Sequence, residues 1–275
     1  LTFKFDHKFK ANKNIKLKFK PSRIYRRAVK ICYNQAKFFK GENMKKIAFL
    51  LMIIGVFAFA KSEEAPQKSE PKQLEMVLIL DKSGSMSGLE SDTIGGFNSM
   101  IDKQKEAGVD AKVTTVLFDT NFKTLHDRAD IKKVEKLTNK DYVASGNTAL
   151  LDAVGDTINK ISKVDDIYAK NRAVLFVIIT DGQENSSKEY SKAQIKKMIS
   201  DKQEKYDWEF IFLGANIDAV SEAQSLGIKG ANAVKYKNSS EGVQKNFEAA
   251  AEMSKDMAMD KKSSSKWREK VLEDK

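Results

Sequence analysis

The chain has 275 residues and a formal net charge of +11, a balance that by itself would suggest an anionic partner. The charge is unevenly placed: residues 1–60 hold 15 Lys/Arg and 2 Asp/Glu, which leaves residues 61–275 at a net −2. A near-neutral remainder removes the case for a nucleic-acid binder steered by a global positive field. Cys32 is the single cysteine and lies in the N-terminal segment, so residues 61–275 offer neither a disulfide nor a thiolate.

Residues 1–43 begin at Leu1 and are dominated by Lys, Phe, Asn, Ile and Tyr. With Lys40-Gly41-Glu42-Asn43 back-translating to a purine-rich ribosome-binding sequence ahead of Met44, they read as untranslated leader; a disordered basic arm is the alternative. Residues 44–60 open with Met-Lys-Lys, continue through an apolar run from Ile47 to Phe59 and close on Ala58-Phe59-Ala60. That is the pattern of a secretory signal peptide cut after Ala60. The run is shorter than the ~20 residues a bilayer span needs, so no stable membrane span is expected after cleavage, and the product is expected in the periplasm or outside the cell. Residues 61–73 are polar, with Pro66 and Pro71, and read as a linker.

From residue 74 to about 252, strand and helix patterns alternate, which predicts one α/β domain. Leu74–Leu80 is an apolar strand suited to burial on both faces of a parallel sheet. Leu89–Lys105 reads as a helix with Ile94, Phe97 and Ile101 on one face, stopped at Gly108; Gly95-Gly96 suggests close helix–sheet packing. Lys112–Phe118 is the second strand, and Asp119-Thr120-Asn121 turns into an antiparallel edge strand at Phe122–His126. Ser145–Thr148 opens a helix carrying Leu151, Val154, Ile158 and Ile161. Ala173–Ile179 is the most apolar stretch after residue 60 and must be central. Ser186-x-x-Glu189 reads as a capping box for a helix reaching about Lys205. Trp208–Leu213 is a strand, Asp218–Leu226 a helix, and Ala231–Tyr236 a short last strand. Ser239 or Ser240 caps a helix with Val243, Phe247 and Ala250, and residues 253–275 form a charged tail. The class is a doubly wound, mostly parallel sheet with one antiparallel edge strand and helices on both faces.

The first strand ends in Asp81-Lys82-Ser83-Gly84-Ser85, and the other long apolar strand ends in Thr180-Asp181-Gly182. Ligands of open α/β sheets sit at the carboxyl edge, where strand order reverses. If these two strands are neighbours there, Asp81, Ser83, Ser85, Thr148 and Asp181 converge. Carboxylates and hydroxyls are hard oxygen donors, suited to Mg²⁺, Mn²⁺ or Ca²⁺.

In this order and spacing, Asp81-x-Ser83-x-Ser85, Thr148 and Thr180-Asp181-Gly182 resemble the metal-ion-dependent adhesion site of von Willebrand factor type A domains. The resemblance covers about residues 74–250. Asp181-Gly-Gln-Glu-Asn-Ser-Ser and Phe212-Leu-Gly-Ala-Asn-Ile-Asp resemble a bacterial subgroup of those domains. The resemblance implies a non-enzymatic module whose bound ion takes an Asp or Glu of a partner protein, with Asp81, Ser83, Ser85, Thr148 and Asp181 as ligands. Lys82, Asp119 and Glu184 are candidates for partner contact. His126, the only histidine after the signal segment, reads as a packing or solvated residue of the edge strand. Two alternatives stand beside this reading: Mg²⁺-dependent phosphoryl transfer with Asp81 as nucleophile, and a scaffold subunit that the ion merely stabilises.

Overall fold

The two longest apolar stretches lie side by side at the centre of a six-stranded sheet. In the computed structural model, which describes residues 72–215, 217–259 and 266–272, β1 (Gln73–Asp81) pairs in parallel with β4 (Arg172–Thr180) on one side and with β2 (Ala111–Phe118) on the other. The strand β3 (Phe122–Asp130) runs antiparallel to β2 at the edge, while β5 (Glu209–Gly214) and β6 (Ala233–Lys235) continue the parallel sheet beyond β4. The order is β3-β2-β1-β4-β5-β6, so strand order reverses between β1 and β4. This is the doubly wound architecture expected from the sequence. The leader and signal-peptide readings lie outside the described residues, as does most of the linker.

Both faces of β1 and β4 are buried because their side chains alternate between two cores. Met76, Leu78 and Leu80 join Leu175, Val177 and Ile179 on one side; Val77 and Ile79 join Val174, Phe176 and Ile178 on the other. The first core is covered by α1 (Glu90–Glu106), α5 (Ser240–Ala258) and α6 (Lys266–Leu272) through residues such as Phe97, Phe247 and Trp267. The second is covered by α2 (Leu150–Ser162), α3 (Lys192–Tyr206) and α4 (Ala219–Ser225) through residues such as Val154, Ile195 and Ala223. Among the described residues no helix is long and apolar enough to cross a membrane.

Several local expectations shift. The edge strand extends to Asp130, past a β-bulge where Arg128 adopts a positive φ of 46°. That turn lets the Arg128 guanidinium bond both carboxylate oxygens of Glu75, a fully buried acid in β1, at 3.0–3.1 Å. Helix α5 runs past Met253 to Ala258, and Met257, Trp267 and Val271 are buried, so the segment read as a charged tail contributes to the core. The close approach at Gly96 is to another helix: a Cβ there would sit 2.4 Å from Phe247 Cδ2, whereas at Gly95 it would meet nothing within 4 Å. The capping box of α3 is Ser191–Gln194, not Ser186–Glu189. Glu184, just upstream, and Asp152, in α2, take the backbone amides of residues 186–190 and hold that stretch out of the helix.

Two predictions come from this packing. Gly96→Ala should destabilise the domain by about 1–3 kcal/mol through overpacking against Phe247. The exposed neighbour Gly95→Ala should instead be neutral or stabilising by up to about 1 kcal/mol through helix propensity; urea unfolding of both variants distinguishes helix–helix contact from a general intolerance of alanine. His126 stacks on Phe97 with ring centroids 5.9 Å apart and shares a 3.0 Å hydrogen bond with Thr115 Oγ1. Burial lowers its imidazole below the ordinary value, so the folded state favours the neutral ring. Its contribution to stability is therefore fully present above pH ~6.5 and lost as the pH falls below that. The slope of stability against pH in that acidic window should flatten in His126→Gln.

Candidate functional site

Because β1 and β4 are parallel neighbours, their last residues reach the same sheet edge together. Thr180 Oγ1 donates to Asp81 Oδ2 at 2.5 Å, and the amide of Ser83 donates to Asp81 Oδ1 at 2.7 Å. Ser83 Oγ and Ser85 Oγ are 3.1 Å apart, and Ser85 Oγ donates to Asp181 Oδ1 at 2.6 Å. Asn238, in the turn before α5, donates to Asp181 Oδ2 at 3.3 Å. Thr148 enters from a third segment. A Cβ placed on Gly182 would lie 3.3 Å from Thr148 Oγ1 and 3.4 Å from Ser85 Oγ, so those two hydroxyls border one small space that a side chain at residue 182 would crowd. Asp81, Ser83, Ser85 and Asp181 are thus hydrogen-bonded in series, the first link through the Ser83 amide and the others between oxygens, with Thr148 at the flank.

Thr148 does not begin the helix, as the sequence suggested; α2 starts at Leu150 and Ala149 provides no side-chain cap. The segment after β4 supplies what is missing. Glu184 Oε2 accepts from the amide of Leu151 at 3.0 Å, placing a carboxylate at the positive end of the helix. Glu184 Oε1 takes the amides of Ser186 and Ser187 at 2.9 and 2.8 Å. Asn185 Oδ1 accepts from the Thr148 amide at 2.9 Å, and the Asn185 and Ser186 amides return to the Thr148 carbonyl at 3.0 and 3.3 Å. From inside α2, Asp152 accepts the amides of Lys188, Glu189 and Tyr190 at 2.7–2.9 Å. The run Asp181-Gly-Gln-Glu-Asn-Ser-Ser is therefore a clamp that fixes Thr148 in place.

The other loops are knitted in the same way. The Ser145 amide donates to the Lys82 carbonyl at 2.8 Å, the Gly84 amide to the Gly146 carbonyl at 3.0 Å, and the Ala149 amide to the Asp119 carbonyl at 2.7 Å. Gly146 has a φ of +71°, and a Cβ there would strike Thr120 Oγ1 at 2.7 Å, so both backbone shape and space require glycine. The buried Tyr142 hydroxyl donates to the main-chain carbonyl of Asp81 and anchors the end of β1 from below.

Electrostatically the site is short of positive charge. Burial pushes the Asp81 carboxyl above its usual range; the Thr180 and Ser83 donors pull it back, and the neighbouring Asp181 charge raises it further. Burial likewise raises Asp181 against the pull of Ser85 and Asn238. The cation nearest in sequence is turned elsewhere: Lys82 pairs with Asp119 across the β2–β3 turn. Burial alone would raise Asp119, but its bonds to Lys82 and the Asn121 amide carry it below the ordinary value. Of the three side chains considered for partner contact, Lys82 and Asp119 pair with each other and Glu184 is occupied by the loop it caps. Among the described residues no three His, Cys, Asp or Glu side chains stand together as a metal-binding group, so an ion held here would rest on hydroxyls beside two carboxylates. Sequence reasoning missed Tyr142, Asn238 and Asp152, and did not assign Thr180 its bond to Asp81. Only Thr180, inside a quoted motif, carried a signal.

No protein-family model matches the chain, and no curated protein matches it. Among solved structures it is similar to the PilB minor pilin from Streptococcus sanguinis, with 13% identity and a TM-score of 0.50 over 71% of this chain and 63% of that one. It is also similar to the ArnB paralog VWA2 from Sulfolobus acidocaldarius, with 15% identity and a TM-score of 0.44 over 67% of this chain and 46% of that one. At these identities the likeness is one of fold. The chain spans less than two thirds of the length of either protein.

The loop clamp is directly testable. Asp152→Ala removes one acceptor from three backbone amides and should lower stability by about 3 kcal/mol. Tyr142→Phe deletes one donor to the end of β1 and should cost about 1 kcal/mol. Chemical unfolding of the two variants measures both, and an Asp152→Ala midpoint equal to wild type would remove the clamp from the account.

Proposed function

We propose that this is an exported, non-enzymatic module that binds a protein partner through a divalent ion, Mg²⁺ or else Mn²⁺ or Ca²⁺. Asp81, Ser83, Ser85, Thr148 and Asp181 would hold the ion. The observation that carries the reading is the continuous cluster of two buried carboxylates and three hydroxyls at the point where strand order reverses. A hard cation answers both features: it accepts oxygen donors of either kind and neutralises the two acids that burial disfavours as anions. When bound, the ion supplies a hard, positively charged centre that attracts a carboxylate oxygen. Thr180, Asn238 and the Ser83 amide orient the ligand carboxylates, in the way outer partners orient ligands at metal sites.

Two further features support binding over turnover. Both oxygens of Asp81 already accept hydrogen bonds, which suits a positioned ligand better than an attacking nucleophile. A hydrolytic site also needs a placed base, and His126 is committed to Phe97 and Thr115 on the edge strand. The pattern at residues 44–60 supports export to the periplasm or beyond, and the minor pilin among the similar folds is in keeping with a role outside the cytoplasm.

The test combines ion binding with partner capture. Mn²⁺ titration followed by electron paramagnetic resonance should show saturable binding to the wild type. Binding should weaken at least about tenfold in Asp81→Ala and in Gly182→Ala, which fills the space between Thr148 and Ser85. Pull-downs from the source cells should recover a partner in Mg²⁺ and lose it in chelator and with Asp81→Ala. Capture unchanged under all three conditions overturns the reading; capture that survives chelation while the melting temperature falls assigns the ion to folding instead.

A further inference from the structure

The opposite edge of the sheet, where the parallel strands begin, holds a cavity of about 420 Å³, within the range of small-ligand sites. Its walls come from the α2–β4 connection and the start of β4 (Tyr168, Lys170, Arg172), the end of α3 (Tyr206, Asp207) and the start of β5 (Glu209). Two observations there point to a ligand, and they are independent.

The first is Arg172. Its side chain is only 10% exposed, and one terminal nitrogen is paired with Asp166. The other, Nη1, is buried and has no hydrogen-bond partner. A guanidinium is a rigid fork of donors matched to carboxylate and phosphate oxygens, and it cannot shed its charge to escape the deficit. A buried cationic donor without an acceptor is the costly case for a protein, so an oxygen is wanted beside it. Of the acids near the cavity, Asp166 already serves the other nitrogen, Glu209 accepts from Asn232 Nδ2 at 2.9 Å, and Asp207 makes no hydrogen bond to Nη1. Lys170 adds a second, solvent-exposed cation to the same lining.

The second is an aromatic wall. Tyr168 and Tyr206 have ring centroids 4.3 Å apart, yet they remain 42% and 46% exposed, among the most exposed large apolar side chains of the described residues. They are not loosely held. Tyr168 stacks at 6.0 Å on Trp208, which stacks at 5.6 Å on Phe176 in the core. Lys202 lies 4.8–5.2 Å from the ring centroids of Tyr168, Tyr206 and Trp208 and donates to the Tyr168 hydroxyl at 2.7 Å. A fixed, exposed pair of rings beside a cationic fork offers one surface for a flat group and another for charged oxygens.

We infer that this cavity is a second binding site, for a small organic anion that joins a carboxylate or phosphate to a flat ring, its oxygens met by Arg172 and Lys170 and its ring by Tyr168 and Tyr206. It lies at the far edge from Asp81 and stands or falls separately from the metal-dependent reading.

Benzoate and phenyl phosphate serve as probes for the two anion types, with benzyl alcohol as the neutral analogue; binding to the full chain is followed by amide NMR shifts and by Trp208 fluorescence. One or both anions should bind saturably and shift resonances around residues 168–172 and 206–209, and the stronger of the two identifies the headgroup. Benzyl alcohol should bind at least about tenfold more weakly. Arg172→Gln should weaken anion binding at least about tenfold, and the surface variants Lys170→Ala and Tyr206→Ser, which keep the fold, should each weaken it several-fold. Equal binding of benzyl alcohol, anion binding unaffected by Lys170→Ala and Tyr206→Ser, or no saturable shift with either anion overturns the proposal.

Discussion

The hydrogen bond between Thr180 and Asp81 joins the ends of the two central strands, and the rest of the site is arranged around it. It exists because β1 and β4 are parallel neighbours in register, Leu80 opposite Ile179, so that the next residues of each strand face one another at the sheet edge. That register is fixed in turn by burial. With both faces of both strands packed, a slip of one residue would exchange Val77 and Ile79 with Met76 and Leu78 between two cores of different shape. A hydrophobic constraint far from any chemistry thereby places two carboxylates within reach of one another.

Placing them there is unfavourable in itself. Asp81 and Asp181 are both nearly inaccessible to water, and each is driven towards its protonated form by burial. The surrounding donors reduce this cost without removing it, because hydroxyls and amides are dipoles and bring no net charge. The protein keeps Lys82 turned onto Asp119, although Lys82 is the next residue after Asp81. With the adjacent ammonium directed away from them, the two acids keep the cost of their burial apart from what those dipoles relieve. The loop clamp has the same logic. Asp152 and Glu184 use their charges on backbone amides, so the segments around the site are held in place by acids that are themselves satisfied.

Much of this was legible in residue order. The long apolar runs gave β1 and β4 as central strands, and Asp-x-Ser-x-Ser with Thr-Asp-Gly at their ends gave the oxygen cluster. What stayed hidden depended on partners distant in sequence. The Ser186–Glu189 pattern has the right letters for a capping box, but Asp152 and Glu184 reach its amides first, and the helix waits for Ser191. The charges of residues 253–275 concealed that Trp267 and Val271 complete the core beneath α5. Glu75 stands inside a strand read simply as apolar, and only the bulge at Arg128 shows how it is paired. Gly95 and Gly96 are identical in sequence context, yet a single neighbour, Phe247, separates their roles.

The strand β4 also sets the relation between the two ends of the domain. It starts at Arg172, beside the cavity, and finishes at Thr180, beside the oxygen cluster. Nine residues of strand separate them by about 26 Å, well beyond a Debye length of about 8 Å at physiological salt. A charge at one end is therefore screened at the other, through solvent at least, and the packed interior between them is apolar on both faces. Any influence of one end on the other would have to pass through a shift of β4 itself, and β4 is held by β1 from Arg172 to Ile179 and by β5 from Leu175 to Thr180. So firmly paired a strand is a poor transmitter, and its rigidity lets one sheet carry chemically opposite surfaces at its two edges: a cluster short of positive charge at the carboxyl end and an arginine short of an acceptor at the amino end.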